Sequence, residues 1–405
     1  MKLIFVNRYF HPDLSATSQM LSDIAFRLAA RGREVHVVTS RQRYEDAAAR
    51  LPARETREGV QIHRIWTSRF GRAWLPGRAL DYLSFYVSSW LCIARLARRG
   101  DLVIAMTDPP LACFPAALAA RLRGARLVNW LQDIFPEVAE RLGLRITRGL
   151  FGAFARALRG YSLRAATLNV VLGERMREFV ARLEPASAQR IAVIHNWADG
   201  ETLQPVPPGE GSLRAQWGLE GRFVVGYSGN MGRVHDFDTV LDACERLRTD
   251  ADVAFVFAGE GHQRLRLEQE TRRRGLPNVT FQPYQPRDRL AASLGAADAH
   301  LVSLLPALEG LVVPSKFYGI AAAGRPAIFI GDPEGEIARM LREARCGLVV
   351  ATGDAAGLAR AILALRDHPA QCREMGANAR AAFEVRYDLP RAMNHWEAAL
   401  ARAAS

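Results

Sequence analysis

Short apolar segments alternate with helical patterns along the first half of the chain. "KLIFVN" has the length of a strand, "SQMLSDIAFRLAARG" has an apolar stripe at helical spacing and ends at a glycine, and "REVHVVTS" is the next strand. A strand, helix, strand unit of this kind starts a parallel sheet, because parallel strands need a crossover connection. Further strands are predicted at 101–107, 125–133, 168–173 and 191–196.

A break in this alternation lies in the middle of the chain. Residues 198–212 gather Pro, Gly and acidic residues without periodicity, which predicts a linker or a domain edge. Strands and helices then alternate again between Phe223 and Val350. We therefore predict an α/β protein with two doubly wound halves. The substrate is expected in the cleft between them, outside the carboxyl ends of the strands.

The charge of the chain limits its partners. The formal net charge is +12, and of the 54 Lys and Arg residues only Lys2 and Lys316 are lysine. Such a protein suits nucleic acid, an anionic membrane face or a phosphate-bearing substrate, although a solvated arginine surface is the alternative. The 5 cysteines lack zinc spacing, and the first strand begins without a signal peptide, so a reducing, cytoplasmic setting is expected.

The glycines disfavour two common nucleotide-binding motifs. Neither G-x-G-x-x-G nor G-x-x-x-x-G-K-[ST] occurs, which argues against a dinucleotide oxidoreductase and a P-loop kinase. Instead, "GYSGNMGRVHD" follows the first strand of the second half. Its glycines, Gly226, Gly229 and Gly232, would let the backbone approach an anion, and Arg233 and His235 add donors. A glycine turn that only packs strand on helix is the alternative.

Acidic and basic residues near this turn indicate how a diphosphate would be held. "DFD" at 236–238 resembles a D-x-D metal motif, but its place before a helix favours capping. No other carboxylate cluster has metal spacing, so no metal is expected. "EGLVVPSKFYG" places Glu309, Gly310 and Lys316 at a predicted strand-to-helix turn. An ammonium at Lys316 would complement a diphosphate leaving group.

Seven segments together resemble glycosyltransferase family 4, of the two-domain GT-B fold. Within this family the chain is similar to the WbuB/WcaI-like bacterial surface-polysaccharide glycosyltransferases. The segments are "YFHPDLSATSQMLSDIAFRLAARGREVHVVTS", "TDPPL", "LQDIFPEVAERLG", "VIHNWAD", "GYSGNMGRVHDF", "VPSKFYGIAAAGRP" and "RYDLPRAMNHWEAAL". The resemblance implies an acceptor-binding Rossmann-like domain at 1–200, a nucleotide-sugar-binding Rossmann-like domain at 201–385, and a helix at 386–405 that packs back on the first domain.

The resemblance also implies the reaction. A retaining, metal-independent enzyme would move a sugar from a nucleotide diphosphate donor to a lipid-diphosphate-linked saccharide. The expected donor is a UDP-sugar, with an N-acetylamino sugar as the first candidate. The product would enter an exopolysaccharide, a capsule or an O-antigen. No cofactor besides the nucleotide-sugar co-substrate is expected.

Donor-side residues follow from the same resemblance. Arg233 and Lys316 would clamp the diphosphate, and Glu309 would bind sugar hydroxyls. The base would lie near "FQPYQ", where either Tyr284 would stack on it or backbone atoms would pair with it. The family's usual second acid, which binds the ribose, falls on Phe317 if counted from Glu309, or on Gly319 if counted back from "AAAG", and neither residue has a carboxylate. The residues expected to bind the donor are Gly229, Asn230, Gly232, Arg233, Tyr284, Gly310, Leu311 and Lys316.

On the acceptor side, Ser15 and Thr17 would make the phosphate contacts that paired glycines make in many relatives. Asp133 and Glu137 are the carboxylates expected at a strand end of the first half. Asp133 would orient or deprotonate the acceptor hydroxyl, or else cap the following turn. The catalytic candidates are Asp133, Glu309 and Lys316.

Residues 78–99 combine aromatic and aliphatic residues with flanking arginines. Their apolar run is shorter than the roughly 20 residues that span a bilayer. We predict a helix in the plane of an anionic membrane, with a buried helix as the alternative. A polyprenyl-diphosphate-linked acceptor fits this patch, so the enzyme is expected at the inner face of the cell membrane. The predicted membrane contacts are Tyr82, Tyr86, Trp90, Arg95 and Arg98.

Two other functions remain open from the sequence. A UDP-sugar 2-epimerase shares the fold but needs acid and base carboxylates and no lipid acceptor. A nucleic-acid-binding protein would suit the charge, but it requires a basic stripe with interleaved aromatic residues. Only residues 66–99 approach such a stripe, so no nucleic acid partner is expected.

Overall fold

The computed structural model describes residues 1–44, 46, 48–71, 74–144, 147, 149–207 and 212–405. The chain divides into two compact units. Unit 1 comprises Met1–His195 and Met393–Ser405, and unit 2 comprises Asn196–Ala392. The predicted linker lies at the start of unit 2, and its residues 208–211 lie outside the described residues.

The described part of unit 1 contains one sheet. Its strands are β1 (Lys2–Val6), β2 (Glu34–Ser40), β3 (Arg54–Arg57), β4 (Val60–Ile65), β5 (Leu102–Met106), β6 (Arg126–Trp130), β7 (Leu168–Val171) and β8 (Ile191–Val193). The strand order is β3-β4-β2-β1-β5-β6-β7-β8. Strands β3 and β4 are antiparallel, and the other neighbours are parallel.

Helices connect the strands of unit 1. They are α1 (Ala16–Ala30), α2 (Leu75–Leu96), α3 (Cys113–Arg123), α4 (Glu137–Arg141), α5 (Gly149–Ala165) and α6 (Glu174–Leu183). Helix α3 packs against both α2 and α5, so these three helices lie side by side.

The described part of unit 2 contains a second sheet. Its strands are β9 (Phe223–Ser228), β10 (Val253–Ala258), β11 (Val279–Gln282), β12 (Ala299–Ser303), β13 (Ala327–Gly331) and β14 (Gly347–Ala351). Their order is β11-β10-β9-β12-β13-β14, and all neighbours are parallel. The helices are α7 (Asp238–Arg246), α8 (Arg264–Arg274), α9 (Leu290–Gly295), α10 (Lys316–Ala322), α11 (Glu336–Ala344), α12 (Ala355–Asp367) and α13 (Pro369–Arg386). The last helix, α14 (Leu389–Ala404), begins in this unit, and its residues from Met393 onward belong to unit 1.

Both sheets are doubly wound, as the apolar strand patterns predict. Strands such as β5, β10 and β13 are buried along their whole length, which requires cover on both faces. The strand order reverses direction beside β1 in unit 1 and beside β9 in unit 2. Loops that leave the sheet on opposite sides of such a switch point open a crevice at the carboxyl ends of the strands. The predicted α/β class is therefore confirmed, and each unit has a place for a ligand.

The end of the chain is anchored within unit 1. The fully buried rings of Trp396 and Trp130 lie edge to face, with 4.5 Å between their centroids. Arg126 donates to the carbonyl oxygen of Ala403 at 3.2 Å. Arg31 pairs with Glu397 at 2.8 Å. Aromatic burial is therefore the main attachment of α14 to this unit, because the ion pair is largely exposed.

Candidate functional site

The loop after β9 forms one wall of the candidate donor site in unit 2. Gly229 has a φ of +117°, which side chains rarely adopt, and a Cβ there would lie 3.3 Å from Cε of Lys316. A Cβ on Gly259, which follows β10, would collide with the carbonyl oxygen of Gly229. The backbones of the two loops therefore touch at Gly229 and Gly259, next to the switch point at β9.

Lys316 begins α10, in the connection that follows β12. Its amine donates to the carbonyl oxygen of Asn230 at 3.2 Å and lies 3.0 Å from Nε2 of His235. It also lies 4.9 Å from the centre of the Tyr227 ring, a cation–π distance. Burial lowers the pKa of Lys316 to about 7, and no carboxylate among the described residues offsets this effect. The charge of the ammonium is therefore available to an anion.

Both ring nitrogens of His235 have partners, Ser303 and Lys316, so the imidazole has no free N–H to donate to an anion. Its Nδ1 lies 2.5 Å from the carbonyl oxygen of Ser303, which can only accept, so Nδ1 carries the ring proton. Nε2 then accepts from Lys316. Burial, and after it the charge of Lys316, lowers the pKa of His235 to about 3, so the ring is neutral. The prediction of a free donor at this position is wrong.

Arg233 is exposed and lines a cavity of about 380 Å³. His235, His262 and Arg266 line the same cavity. Between Arg233 and Gly229, Asn230 uses its carbonyl oxygen to accept from Lys316 and from the hydroxyl of Tyr227, and Gly232 lies beside the Asn230 amide. The turn thus keeps one cation fixed and leaves the other open to solvent. A diphosphate contact by Arg233 stays a prediction.

The carboxylate of Glu309 is engaged at the start of another helix. It accepts from the backbone N–H of Glu336, the first residue of α11, at 2.8 Å. Burial raises the pKa of Glu309, and this backbone bond opposes the rise. Gly310 has a φ of +75°, and the N–H of Leu311 donates to Leu308 at 3.0 Å. The N–H of Leu311, one of the residues expected to bind the donor, is therefore already used inside the loop, and a sugar contact by Glu309 stays a prediction.

The "DFD" segment is used for capping. The Asp236 carboxylate accepts from the backbone N–H groups of Asp238 at 3.1 Å and Thr239 at 3.4 Å, at the start of α7. Asp238 forms an ion pair with Arg266. Within the described residues, no group of three or more His, Cys, Asp or Glu side chains is arranged to hold a metal ion. The contacts of Asp236 thus support the capping interpretation of this motif.

Two further donor-side residues differ in exposure. Tyr284 follows the edge strand β11 and is 49% exposed, and its stacking on a base stays a prediction. Phe317, at the position of the family's second acid, is 1% exposed and lies against Tyr318 and Tyr387. It belongs to the core and offers nothing to a ribose.

Asp133 follows β6 in unit 1. The backbone N–H groups of Gln132 and Asp133 donate to the hydroxyl oxygen of Thr107 at 3.2 and 3.4 Å. Burial raises the pKa of Asp133, and a hydrogen bond from Thr107 opposes the rise. Among the described residues, Oδ1 of Asp133 has no hydrogen-bond partner, whereas Glu137 pairs with Arg159 at 2.8 Å. Oε2 of Glu137 also lacks a partner among these residues, so the ion pair with Arg159, and not an open acceptor atom, distinguishes the two carboxylates.

Ser15 and Thr17 lie at the start of α1, beyond β1. The hydroxyl of Thr17 donates to the Asp108 carboxylate at 3.4 Å. Asp13 accepts from the backbone N–H of Ser15 at 2.8 Å, while the buried Ser15 hydroxyl has no partner in the described part of the chain. Strands β1, β5 and β6 are neighbours, so these residues and Asp133 follow three adjacent strands. The acceptor-side residues therefore belong to one edge of this sheet.

Two family models match this chain. "Glycosyl transferase 4-like domain" matches residues 16–197, and "Glycosyl transferases group 1" matches residues 210–382. The putative colanic acid biosynthesis glycosyl transferase WcaI of Escherichia coli (strain K12) is 30% identical over 359 residues, covering 84% of this chain and 86% of that relative. The chain belongs to glycosyltransferase family 4. The predicted resemblance and the prediction of a transferase are confirmed.

Solved structures similar to this glycosyltransferase have the GT-B fold. Sucrose-phosphate synthase from Thermosynechococcus elongatus superposes with a TM-score of 0.79 at 17% identity over 100% of both chains. Anabaena HepE in complex with UDP-glucose superposes with a TM-score of 0.73 at 19% identity over 99% of both chains. Such low identities establish the fold alone, and the GT-B prediction is confirmed.

Helix α2 of the glycosyltransferase turns its tyrosines away from the predicted membrane face. Tyr86 donates its buried hydroxyl to the carbonyl oxygen of Pro110, and burial raises its pKa. Tyr82 is half-buried, with the Arg8 guanidinium 5.1 Å from its ring centre. Trp90 is also half-buried. The prediction that Tyr86 lies among lipid headgroups is wrong, because its polar end is already paired inside the unit.

The outward face of α2 is aliphatic. Arg95 and Arg98 near its end are exposed, as the prediction of a basic face requires. No helix of the described residues is long and apolar enough to cross a bilayer. Exposed apolar side chains on α2 recur at helical spacing: Leu80, Leu83, Val87 and Leu91.

Two residues of the donor site escaped the sequence analysis. Tyr227 supplies the ring below Lys316, and Ser303 sets the tautomer of His235. Each stands at or next to the carboxyl end of a strand beside the switch point, β9 for Tyr227 and β12 for Ser303. A polar atom at the end of an otherwise apolar strand was the available signal.

Proposed function

We propose that this glycosyltransferase moves a sugar from a nucleotide diphosphate donor, a UDP-sugar of the N-acetylamino type as first choice, to a polyprenyl-diphosphate-linked saccharide. The observation that carries the proposal is Lys316, whose ammonium lies beside a glycine turn and has no carboxylate partner among the described residues. The HepE complex with UDP-glucose supports a nucleotide-sugar donor. The name of WcaI supports a role in cell-surface polysaccharide synthesis.

The proposed chemistry uses Lys316 on the leaving group. As the bond between the anomeric carbon and the diphosphate oxygen breaks, negative charge builds on that oxygen, and the ammonium stabilises it. The acceptor oxygen bonds to the same face of the sugar, which gives retention, and its proton passes to the departing diphosphate. Asp133 orients the acceptor hydroxyl through Oδ1. Lys316 and backbone N–H groups supply the positive charge, so the proposal includes independence from metal.

A product assay tests this function. The protein is incubated with UDP- and GDP-sugars, with and without a polyprenyl-diphosphate saccharide and with EDTA, and nucleoside diphosphate release is measured. We expect release with one donor, dependent on acceptor and unaffected by EDTA, and a product of retained anomeric configuration by NMR. Absence of release with every pair would contradict the transfer, and loss in EDTA would contradict metal independence.

Donor affinity is expected to depend on pH through Lys316. Its pKa of about 7 means that the ammonium dominates below pH 7 and the neutral amine above it. A UDP-sugar is anionic throughout this range, so its affinity should be level below pH 7. Above pH 7 it should fall by up to about tenfold per unit, until the pKa of the bound form is reached.

Isothermal titration calorimetry between pH 6 and pH 9 measures this profile. Lys316→Arg is the control, because a guanidinium stays charged throughout, and its profile should be flat. A flat profile for the unmodified protein would show that Lys316 does not titrate in the donor site.

For the acceptor side we propose that α2, α3 and α5 rest on an anionic membrane. Exposed arginines near the ends of α2 and α3 would contact lipid phosphates: Arg95, Arg98, Arg99, Arg121 and Arg123. The exposed apolar side chains of the three adjacent helices would enter the headgroup region: Leu80, Leu83, Val87, Leu91, Leu118, Leu122, Leu150, Phe151 and Phe154. Apolar area and positive charge on the same helices fit such a surface better than a purely polar partner.

Placing acids on α2 should abolish membrane binding. Each large aliphatic side chain contributes about 1.5–3 kcal/mol when buried, so Leu83→Asp with Val87→Asp should weaken partitioning at least 100-fold. Co-sedimentation with phosphatidylglycerol vesicles measures this effect. Leu265→Asp, at a leucine 67% exposed on α8, is the matched control and should bind as the unmodified protein does. Equal binding of all three proteins, or no preference for anionic over neutral vesicles, would contradict the proposal.

A further inference from the structure

Among the described residues, three groups contact the Lys316 amine. The contact with one of them, His235, is attractive or repulsive according to the protonation state of the imidazole. The carbonyl oxygen of Asn230 and the ring face of Tyr227 attract an ammonium at any pH. The imidazole of His235, at 3.0 Å, accepts from it only while Nε2 carries no proton. The state of His235 therefore decides whether this contact attracts or repels the amine.

The structure holds His235 in that accepting state. Its Nδ1 donates to the carbonyl oxygen of Ser303 at the end of β12. The Ser303 hydroxyl in turn donates to the carbonyl oxygen of Asp236 at 3.0 Å and accepts from its N–H at 2.7 Å, which ties this segment to the strand. The rings of Tyr227 and Phe237 stand edge to face with the imidazole at 5.9 and 6.1 Å. Rotation of the imidazole would break its hydrogen bond to Ser303 and its contacts with both rings at the same time.

An ammonium has three N–H groups, and two of them are used here. Asn230 and His235 take one each, so the direction of the third is determined by the tetrahedral geometry of the nitrogen. A free lysine side chain loses much rotamer freedom when it binds a ligand. Two fixed bonds remove that loss from the binding step and leave one N–H for the incoming anion.

We propose that His235 is a positioning residue for the donor: as the neutral Nδ1–H tautomer, it holds the Lys316 amine beside the glycine turn and directs its third N–H to the diphosphate. This inference rests on the proposed function of Lys316 as the diphosphate ligand. It assigns His235 no contact with the substrate.

Two substitutions separate the two bonds of His235. In His235→Asn, the amide nitrogen takes the place of Nδ1 and keeps the bond to Ser303, but the side chain is too short to reach Lys316. In His235→Gln, the amide oxygen takes the place of Nε2 and accepts from Lys316. UDP and GDP are the probes, and their affinities for the full chain are measured by calorimetry at pH 7. We expect His235→Asn to weaken binding five- to tenfold and His235→Gln to recover most of that loss.

Lys316→Ala provides the decisive background. If His235 acts through Lys316, His235→Asn should cause no further loss of affinity in a chain that already lacks the amine. Equal weakening by Asn and Gln, an unchanged affinity in His235→Asn, or the same loss in the Lys316→Ala background would overturn the inference.

Nitrogen NMR of ¹⁵N-histidine-labelled protein tests the tautomer directly and does not require His235→Asn to fold. The His235 signal is identified by its loss in His235→Gln, and we expect it to be that of an Nδ1–H ring that does not titrate between pH 5 and pH 8. If the signal lost is that of an Nε2–H ring or of a titrating ring, the inference is overturned.

The affinities of these variants distinguish failure of the role proposed for His235 from failure of the proposed diphosphate site. If the unmodified chain binds neither UDP nor GDP, or if Lys316→Ala binds both as well as the unmodified chain does, the diphosphate site itself is wrong and the inference falls with it. If Lys316→Ala weakens binding while His235→Asn does not, the site stands and only the role of His235 is overturned.

Discussion

Lys316→Ala is expected to weaken donor nucleotide binding roughly 10- to 100-fold. The reason is the loss of a hydrogen bond to a charged group, which contributes about 1.5–3 kcal/mol. The rate of sugar transfer should fall by more than the affinity for the nucleotide, because the ammonium also stabilises the negative charge that develops on the leaving oxygen. A further loss of about 10²-fold in kcat is expected. Calorimetry with UDP and steady-state release of nucleoside diphosphate measure the two effects separately.

The chain offers a matched control for this substitution in Lys2, its only other lysine. Lys2 donates to the carbonyl oxygen of Leu96 at 3.3 Å within unit 1, whereas the glycine turn belongs to unit 2. Lys2→Ala removes the same charge and the same side chain and should leave UDP affinity within about twofold. If both variants bind UDP equally, net charge and not position accounts for the affinity, and Lys316 is not the diphosphate ligand.

Trp396→Ala is expected to have the largest effect on stability, a loss of about 3–5 kcal/mol in the free energy of unfolding of unit 1. Trp396 is fully buried against Trp130, so alanine leaves a cavity and removes an aromatic pair. Urea unfolding followed by tryptophan fluorescence and by circular dichroism measures the change.

Two related substitutions sharpen this test. Trp396→Phe should cost less than alanine, because it retains a ring and removes an indole N–H that has no partner among the described residues. Trp66→Ala, at a tryptophan 65% exposed, should change stability by less than about 0.5 kcal/mol. A similar loss for Trp66→Ala and Trp396→Ala would mean that α14 is not attached through its tryptophan.

The buried parallel strands could be predicted from the sequence, but the hairpin β3–β4 could not. Long apolar runs mark strands covered on both faces, whereas this edge hairpin alternates polar and apolar residues. Val60 and Ile62 are buried as expected, but the next inward position is Arg64, which pairs with Glu55 at 2.6 Å. Its turn places Glu58 at a φ of +48°, where glycine or asparagine is the usual signal. Because of this buried charge and this unusual turn residue, the pattern of residues 54–65 did not predict a hairpin.

In the donor site, the glycine turn and Lys316 could be predicted from the sequence, and the structure brings the two together. This was possible because both follow strands beside one switch point, so topology alone places them close. The engagement of Glu309 by α11 and of His235 by Ser303 could not be predicted, because both contacts join segments far apart in the chain. Side-chain contacts of this kind depend on packing, which periodicity does not encode.

The orientation of α2 shows the same limit. Its sequence is apolar around much of its circumference, so helical spacing alone does not choose the inward side. The choice depends on neighbours outside the helix. The carbonyl oxygen of Pro110 satisfies the Tyr86 hydroxyl, and Arg8 covers Tyr82. The aliphatic residues, which need no polar partner, were left to face outward.

The rarity of lysine gives this protein an unusual chemical property. Neutral amines react with acylating reagents, whereas ammonium groups do not. An amine with a pKa of about 7 is half neutral at about pH 7, where an ordinary lysine is almost wholly protonated. Of the two lysines, Lys316 is therefore the one that such a reagent would acylate first at neutral pH. A nucleotide bound at the glycine turn would shield it, so the acylated fraction, read by mass spectrometry, reports how much of the protein is loaded with donor.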